Sequence, residues 1–422
     1  MPSFRFEGFG VGAQVALSAV QGADSESASV SSWGQGSMNA SLEILEVRAP
    51  SVPAPATIWF EAINLSGFDF AGPGPDEVYD PSFDKITYIW TVTGGAELTY
   101  GTPMLPTAWR DGKVAYGKKV SLFFPDPGVT YTIRCWAIDN NGNWGEATTT
   151  FIPENADDIY PGSATICLDP SGNFTGAPAG AQQVTSVSAM QGAVNATALP
   201  RRVLIARGQD ISGFSVNGTN GHLRYIGTFG SGPRPILRTA GQTGSMFEFT
   251  GTSAPYLTIT GCDCRGDWDA ATETGYPSAN PLATSVSSLL HLTVWDCRFD
   301  GFSLLLLALR NTTAWTASFG HTEITNWQDY GMFIATSPLA KIAFSGCDVA
   351  QNTQALNDYA GNRVGLMNQQ GPIRAPGYSA FYIGATSFLS RGGWSGGVDQ
   401  SCLRLNSDGL QGISTVVDRT VI

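Results

Sequence analysis

Charge is scarce in this sequence. Asp, Glu, Lys and Arg make up 14% of its 422 residues, where globular chains average about 25%. The charge present runs acidic, with 35 carboxylates against 23 Lys and Arg and a formal net charge of −12. That balance argues against nucleic acid or an anionic membrane as partner, since both require a basic footprint. Long apolar runs are missing as well. The segment SLLLLALR at 303–310 falls far short of the roughly 18 residues of a membrane span and fits a buried strand. The seven cysteines are odd in number and form no CxxC pair, so neither a disulfide framework nor a metal site is expected from them. With no nucleotide-binding glycine loop and no HExxH, no cofactor is expected.

Gly (50 residues) fills much of the deficit, and aromatics reach 11%. Uncharged polar residues with many tight turns suit a β-protein, and that aromatic content excludes a disordered chain. At this length two or three domains are expected.

The strongest pattern is a broken alternation. In HLTVWDCRFDG (291–301) the apolar letters fall at Leu292, Val294, Cys297 and Phe299, skipping a beat after Val294. The skip recurs in YLTITGCDCRG (256–266), TASFGHTEITN (316–326) and KIAFSGCDVAQ (341–351), and SAFYIGATSFLS (379–390) can be laid on the same template. From Cys297 to Thr322 to Cys347 the step is 25 residues each time. Such a unit reads as two short strands joined by a two-residue corner, one circuit of a three-sided coil. Stacked coils bury a continuous core, and the expectation is a parallel β-helix. Its inward cysteines, Cys262, Cys264, Cys297 and Cys347, act there as small hydrophobes.

Three parts follow along the chain. Residues 1–50 are Gly-, Ser- and Ala-rich and close no core of their own, so an anchor segment ordered by a partner is expected. Their start, MPSFRFEGFGVGAQVALSAV, is a poor secretory signal. Residues 51–155 show alternating strands between turn clusters, the spacing of a β-sandwich. Within them ITYIWTVTGG and GVTYTIRCWAIDNNGNWGEATT resemble the Trp strand and last hairpin of PKD and bacterial immunoglobulin-like modules. Thr-Val-Thr-Gly-Gly stands where that family has an acidic Asp-Gly turn. The resemblance implies a spacer or presenting module without chemistry. Asp139, Asn141 and Asn143 offer oxygens for Ca²⁺, but a tight Asn/Gly hairpin turn explains them more simply.

Residues 156–422 form the third part. PRRVLIARGQDISGFSVNG (200–218) resembles an early coil of pectate-lyase-like right-handed parallel β-helices. That architecture serves lyases, hydrolases and viral spikes alike, so it does not by itself give a function. The chain stops at DGLQGISTVVDRTVI, with no cap on the last coil, so either a partner chain covering this end or a longer natural protein is expected.

If the coils stack in register, the outward residues Asp263, Arg298, Glu323 and Asp348 form a column, with Asp296 and His321 beside it at the corner. Glu323 and Asp348 are then paired carboxylates at a spacing suited to glycoside cleavage. Arg298 and His321 are the candidate bases for a lyase. A solvated ladder of mixed charge is the plainer reading of the same column. Two longer steps, at 267–281 and 351–378, place loops outside the coil. They carry Trp268, Tyr276, Tyr359 and Tyr378, with Asp267, Asp269, Asn357, Arg363 and Arg374 nearby. Flat aromatic faces beside polar groups suit sugar rings.

The order of parts implies a virion-attached spike, fibre or decoration protein that contacts host-surface polysaccharide. A polysaccharide lyase or glycoside hydrolase and a bacterial surface adhesin are the alternatives. Partners expected on this reading are other virion proteins through residues 1–50, host glycan, and further copies of the chain in a trimer. Nucleic acid and membrane are not among them.

Overall fold

The computed structural model describes residues 41–47, 51–66, 86–95, 113–139, 144–196, 200–219, 222–240, 244–251, 256–267, 280–286, 291–302, 306–308, 315–325, 332–334, 340–351, 379–384, 387–390 and 413–418. Within these the protein is all-β apart from two short α-helices, Ala156–Ile159 and Val187–Asn195, and one 3-10 turn, Gly162–Ala164.

From Arg201 onward the chain visits three parallel sheets in rotation. The first has ten strands, the second seven and the third five. One circuit runs from His291–Trp295 in the first sheet to Arg298–Asp300 in the second and Leu306–Ala308 in the third. It then returns to the first sheet at Trp315–Gly320. Each strand pairs in register with its counterpart one circuit away: Leu292 with Ala317, and Ala317 with Ile342. The inward residues Leu292, Val294, Cys297, Phe299, Ala317, Phe319, Ile324, Ile342, Phe344, Cys347 and Val349 form one buried core. Backbone bonds from Glu323 to the Cys297 carbonyl (2.9 Å) and from Asp348 to the Thr322 carbonyl (3.0 Å) stack the corners in the same order.

The skipped beat has a backbone cause. The residue just after the first-sheet strand in successive circuits, Gly261, Asp296, His321 and Gly346, takes positive φ of 74°, 50°, 49° and 60°. A left-handed residue swings the chain through the corner, so the next side chain points inward again. Glycine adopts this geometry freely, and Asp tolerates it better than most residues. Described cysteines are free thiols and buried. Burial pushes Cys297 and Cys347 up to about 12, holding them as inert thiols.

Before the coils come two antiparallel sheets around a shared core. One is ordered Ser41–Val47, Ala56–Ser66, Lys119–Phe124; the other Val114–Tyr116, Ile86–Thr93, Tyr131–Asp139, Trp144–Phe151. Trp90 is fully buried, packs 6.1 Å from Phe60 and donates its indole N–H to the Gly117 carbonyl at 2.8 Å. Two expected boundaries move. Ser41–Val47 pairs with Ala56–Ser66, so the end of the 1–50 segment belongs to this module; residues 1–40 lie outside the described residues. Asn280 already pairs with Ser245 in the third sheet, so the loop expected at 267–281 is shorter at its far end.

The antiparallel module lies against the coil stack along the outward side of the first sheet. Alternation along Ala56–Ser66 sends Ile58, Phe60 and Ala62 into the module core and turns Thr57, Trp59 and Glu61 toward the coils. Thr57 Oγ1 lies 2.8 Å from both His291 Nε2 and Thr293 Oγ1, and Ser121 Oγ lies 2.9 Å from Ser318 Oγ. Lys341 pairs with Glu61 and sits 5.6 Å above the Trp59 ring. The Phe123 ring contacts Trp295 at 4.7 Å and lies where a Cβ on Gly320 would come within 2.1 Å of it. A socket without a side chain is what that ring requires.

Candidate functional site

With the first face covered, the outward side of the second sheet presents the charged groups. Its strands are two to four residues long, and Asp263–Arg265, Arg298–Asp300 and Glu323–Thr325 each hold one inward side chain flanked by two outward ones. Register places Asp263, Arg298, Glu323 and Asp348 in one column and Arg238, Arg265, Asp300 and Thr325 in the next.

Opposite charges meet along strands as well as across them. Arg265 pairs with Asp263 at 2.9 Å, Arg298 with Asp300 at 3.2 Å, and Arg238 grips Asp210 through two bonds of 2.8 and 2.9 Å. Thr325 donates to Asp300 at 2.9 Å. Like charges are register neighbours at Arg238 and Arg265, each with its own aspartate, and again at Glu323 and Asp348.

The pair Glu323 and Asp348 stands beside a second cluster at the corner. Arg234 reaches back from the SGPRP segment to Asp296 at 2.5 Å and to Glu323 at 3.6 Å. Arg298 Nε lies 3.9 Å from the other oxygen of Glu323, a charge pair longer than a hydrogen bond. His321 Nδ1 is 3.4 Å from Asp296 Oδ1, and its ring is 6.0 Å from Trp295. Burial alone would raise the Asp296 carboxyl, but His321 and the Arg234 guanidinium outweigh it and hold it below the usual range. Burial would likewise lower Arg234, and the Asp296 and Glu323 carboxylates turn the net shift upward.

Of the residues singled out in the sequence, Glu323, Asp348, Arg298 and His321 therefore come together on one face, with Asp263 next in the column. Neighbouring strands are about 4.8 Å apart, which places the Glu323 and Asp348 backbones at a spacing compatible with cooperating carboxylates. Asp296 and His321 are also the two non-glycine residues at the left-handed corner position, a conformation that costs on the order of 1 kcal/mol each. Trp268, Tyr276, Tyr359, Tyr378, Arg363, Asp269, Asn357 and Arg374 lie outside the described residues. Asn141 and Asn143 do as well, so of the suggested Ca²⁺ turn only Asp139 is among the described residues. Among the described residues no group of three or more His, Cys, Asp or Glu is placed to hold a metal.

Arg234 is the participant that alternation does not reveal. Its signal is the corner between Phe229 and Ile236, longer than the two-residue corners that follow. A reading by alternation also passes over Gly393-Trp394-Ser395-Gly396-Gly397, which has the GxSxG spacing. That motif needs a strand–turn–helix setting to act as a nucleophile elbow, and these residues lie outside the description. No protein-family model, curated protein or solved structure matches the chain.

Proposed function

We propose that this chain is a parallel β-helix with a side-docked immunoglobulin-like module, serving as a virion-attached spike, fibre or decoration protein that contacts host-surface polysaccharide. The observation that carries the reading is the unequal use of the two faces. The module occupies the first, leaving the second as a flat, rigid, hydrogen-bonding strip repeated once per coil. Such a strip matches an extended chain of sugars, whose hydroxyls can donate to Asp and Glu and accept from Arg along several coils. On this reading the attachment to other virion proteins runs through residues 1–50, of which Ser41–Val47 pair within the module.

The test is retention of the purified chain on immobilised host-envelope polysaccharides. Retention is expected on at least one of them. It should weaken at least tenfold in Glu323→Arg/Asp348→Arg, which reverses the charge at the like-charge pair. Absence of retention on every polysaccharide would overturn the reading.

The register of Glu323 beside Asp348 favours a second reading, a glycan depolymerase. In that case Glu323→Gln keeps binding and abolishes the release of reducing ends. If Glu323→Gln still cleaves at the wild-type rate, the pair is structural.

A further inference from the structure

His291 is 1% exposed and lies on the outward side of the first sheet, beneath the antiparallel module. Its Nε2 is 2.8 Å from Thr57 Oγ1 of the module and 3.0 Å from Thr293 Oγ1 of its own strand. Its Nδ1 bonds to the Thr316 hydroxyl on the next coil. Hydroxyls both donate and accept, so this shell satisfies both nitrogens of a neutral imidazole in either tautomer. Among the described residues it contains no carboxylate to balance an added proton.

Among the described residues the charged groups around the interface do not supply one. From the module come Glu61 and Lys119, from the coils Lys341, and Arg224 and Glu154 act on Tyr256, while His291 itself feels burial and the Thr57 hydrogen bond. Glu61 is already engaged by Lys341 and by the Trp59 indole N–H at 2.8 Å. Tyr256, in register beside His291, and Tyr225 are phenols that burial keeps neutral.

We propose that His291 is an acid-sensitive latch between the module and the coil stack. Its protonation places an uncompensated charge in a dry interface and shifts the equilibrium toward an opened one.

Burial holds the docked ring at about 4, the Thr57 hydrogen bond opposing that shift only in part; a solvated imidazole sits near 6.5. The opened state therefore binds more protons throughout the interval between these values. The His291 contribution to docking is undiminished above pH ~6.5, weakens as pH falls, and levels off below ~4, where the docked ring also accepts the proton. At pH 5 the docking constant should be lower by about 30-fold, and the limit in stronger acid is about 300-fold. Glu61 acts only at the acid end. Burial tends to raise its carboxyl, but Lys341 brings it below its ordinary value, so its ion pair supports docking above that ordinary value and adds a further loss as pH falls through its docked one.

The experiment reads opening directly. In Ser318→Cys the new thiol lies under the module, and its labelling by dithiodipyridine, relative to a free cysteine peptide at the same pH, reports the open fraction. Between pH 7.5 and 5 that ratio should rise about 30-fold. It should stay flat when His291→Gln is added and keep its rise with His321→Gln. Imidazole NMR on the unmodified chain, which has three histidines, gives a readout that needs no variant: one ring should stay neutral to about pH 4. A pH-independent ratio, a rise that survives His291→Gln, or three rings all titrating near 6.5 would overturn the latch.

Discussion

On the first sheet, the outward residues of successive coils include Thr258, His291, Thr293, Thr316 and Ser318, all buried under the module, with Lys341 paired to Glu61 at one end. On the second they are Asp263, Arg265, Arg298, Asp300, Glu323 and Thr325, all reaching the surface. One coil geometry thus carries two chemistries, and the difference is set by what lies outside. A covered face must satisfy its polar atoms without burying net charge, so hydroxyls, one neutral imidazole and the paired Lys341 and Glu61 serve it. An open face tolerates full charges because water and an adjacent opposite charge share the solvation.

The largest expected effect comes from giving the covered face the chemistry of the open one. Thr293→Glu puts a carboxylate where Thr57 and His291 close the interface. It should cost about 3 kcal/mol or more in denaturant unfolding. Next is Gly320→Ala, which displaces the Phe123 ring from its socket. A loss of about 1–3 kcal/mol is expected from overpacking, with increased thiol labelling at Ser318→Cys. Arg234→Met on the open face leaves Asp296 and Glu323 without their shared cation. About 1–2 kcal/mol should be lost at neutral pH. That loss should shrink in acid, because a carboxyl held low contributes stability above its unfolded value and surrenders it as pH falls through its folded one. Smallest is Glu323→Gln, expected to stay within about 1 kcal/mol because its ion pairs are exposed. A large loss there would mean the open face is as structural as the covered one.

Much of this contrast can be read from the sequence, and the limits have physical causes. The inward core and register follow from alternation because three consecutive second-sheet strands, Asp263-Cys264-Arg265, Arg298-Phe299-Asp300 and Glu323-Ile324-Thr325, each hold one apolar residue between polar ones. The column containing Glu323 and Asp348 follows from that register. Alternation says which side a residue faces, but not whether that side meets water or another sheet. The docked module is therefore invisible to it, although charge-free outward positions from Thr258 to Ser318 are the trace it leaves. The doubly apolar run ATIWFEA at 56–62 is the matching trace on the module, since that strand is buried on both sides. Arg234 escapes because a long side chain on an irregular corner can reach across coils, and no periodicity records such reach.

The central claim is that the module seals the first face, and a cross-link across the seam tests it most directly. Ser121 and Ser318 oppose each other with hydroxyls 2.9 Å apart, and the described native thiols are buried away from solvent. In Ser121→Cys/Ser318→Cys, mild oxidation should join the two positions in nearly every molecule. Peptide mapping should recover the 121–318 link, with unfolding shifted to higher denaturant. Two free thiols at 121 and 318 in the folded, oxidised protein would contradict the account.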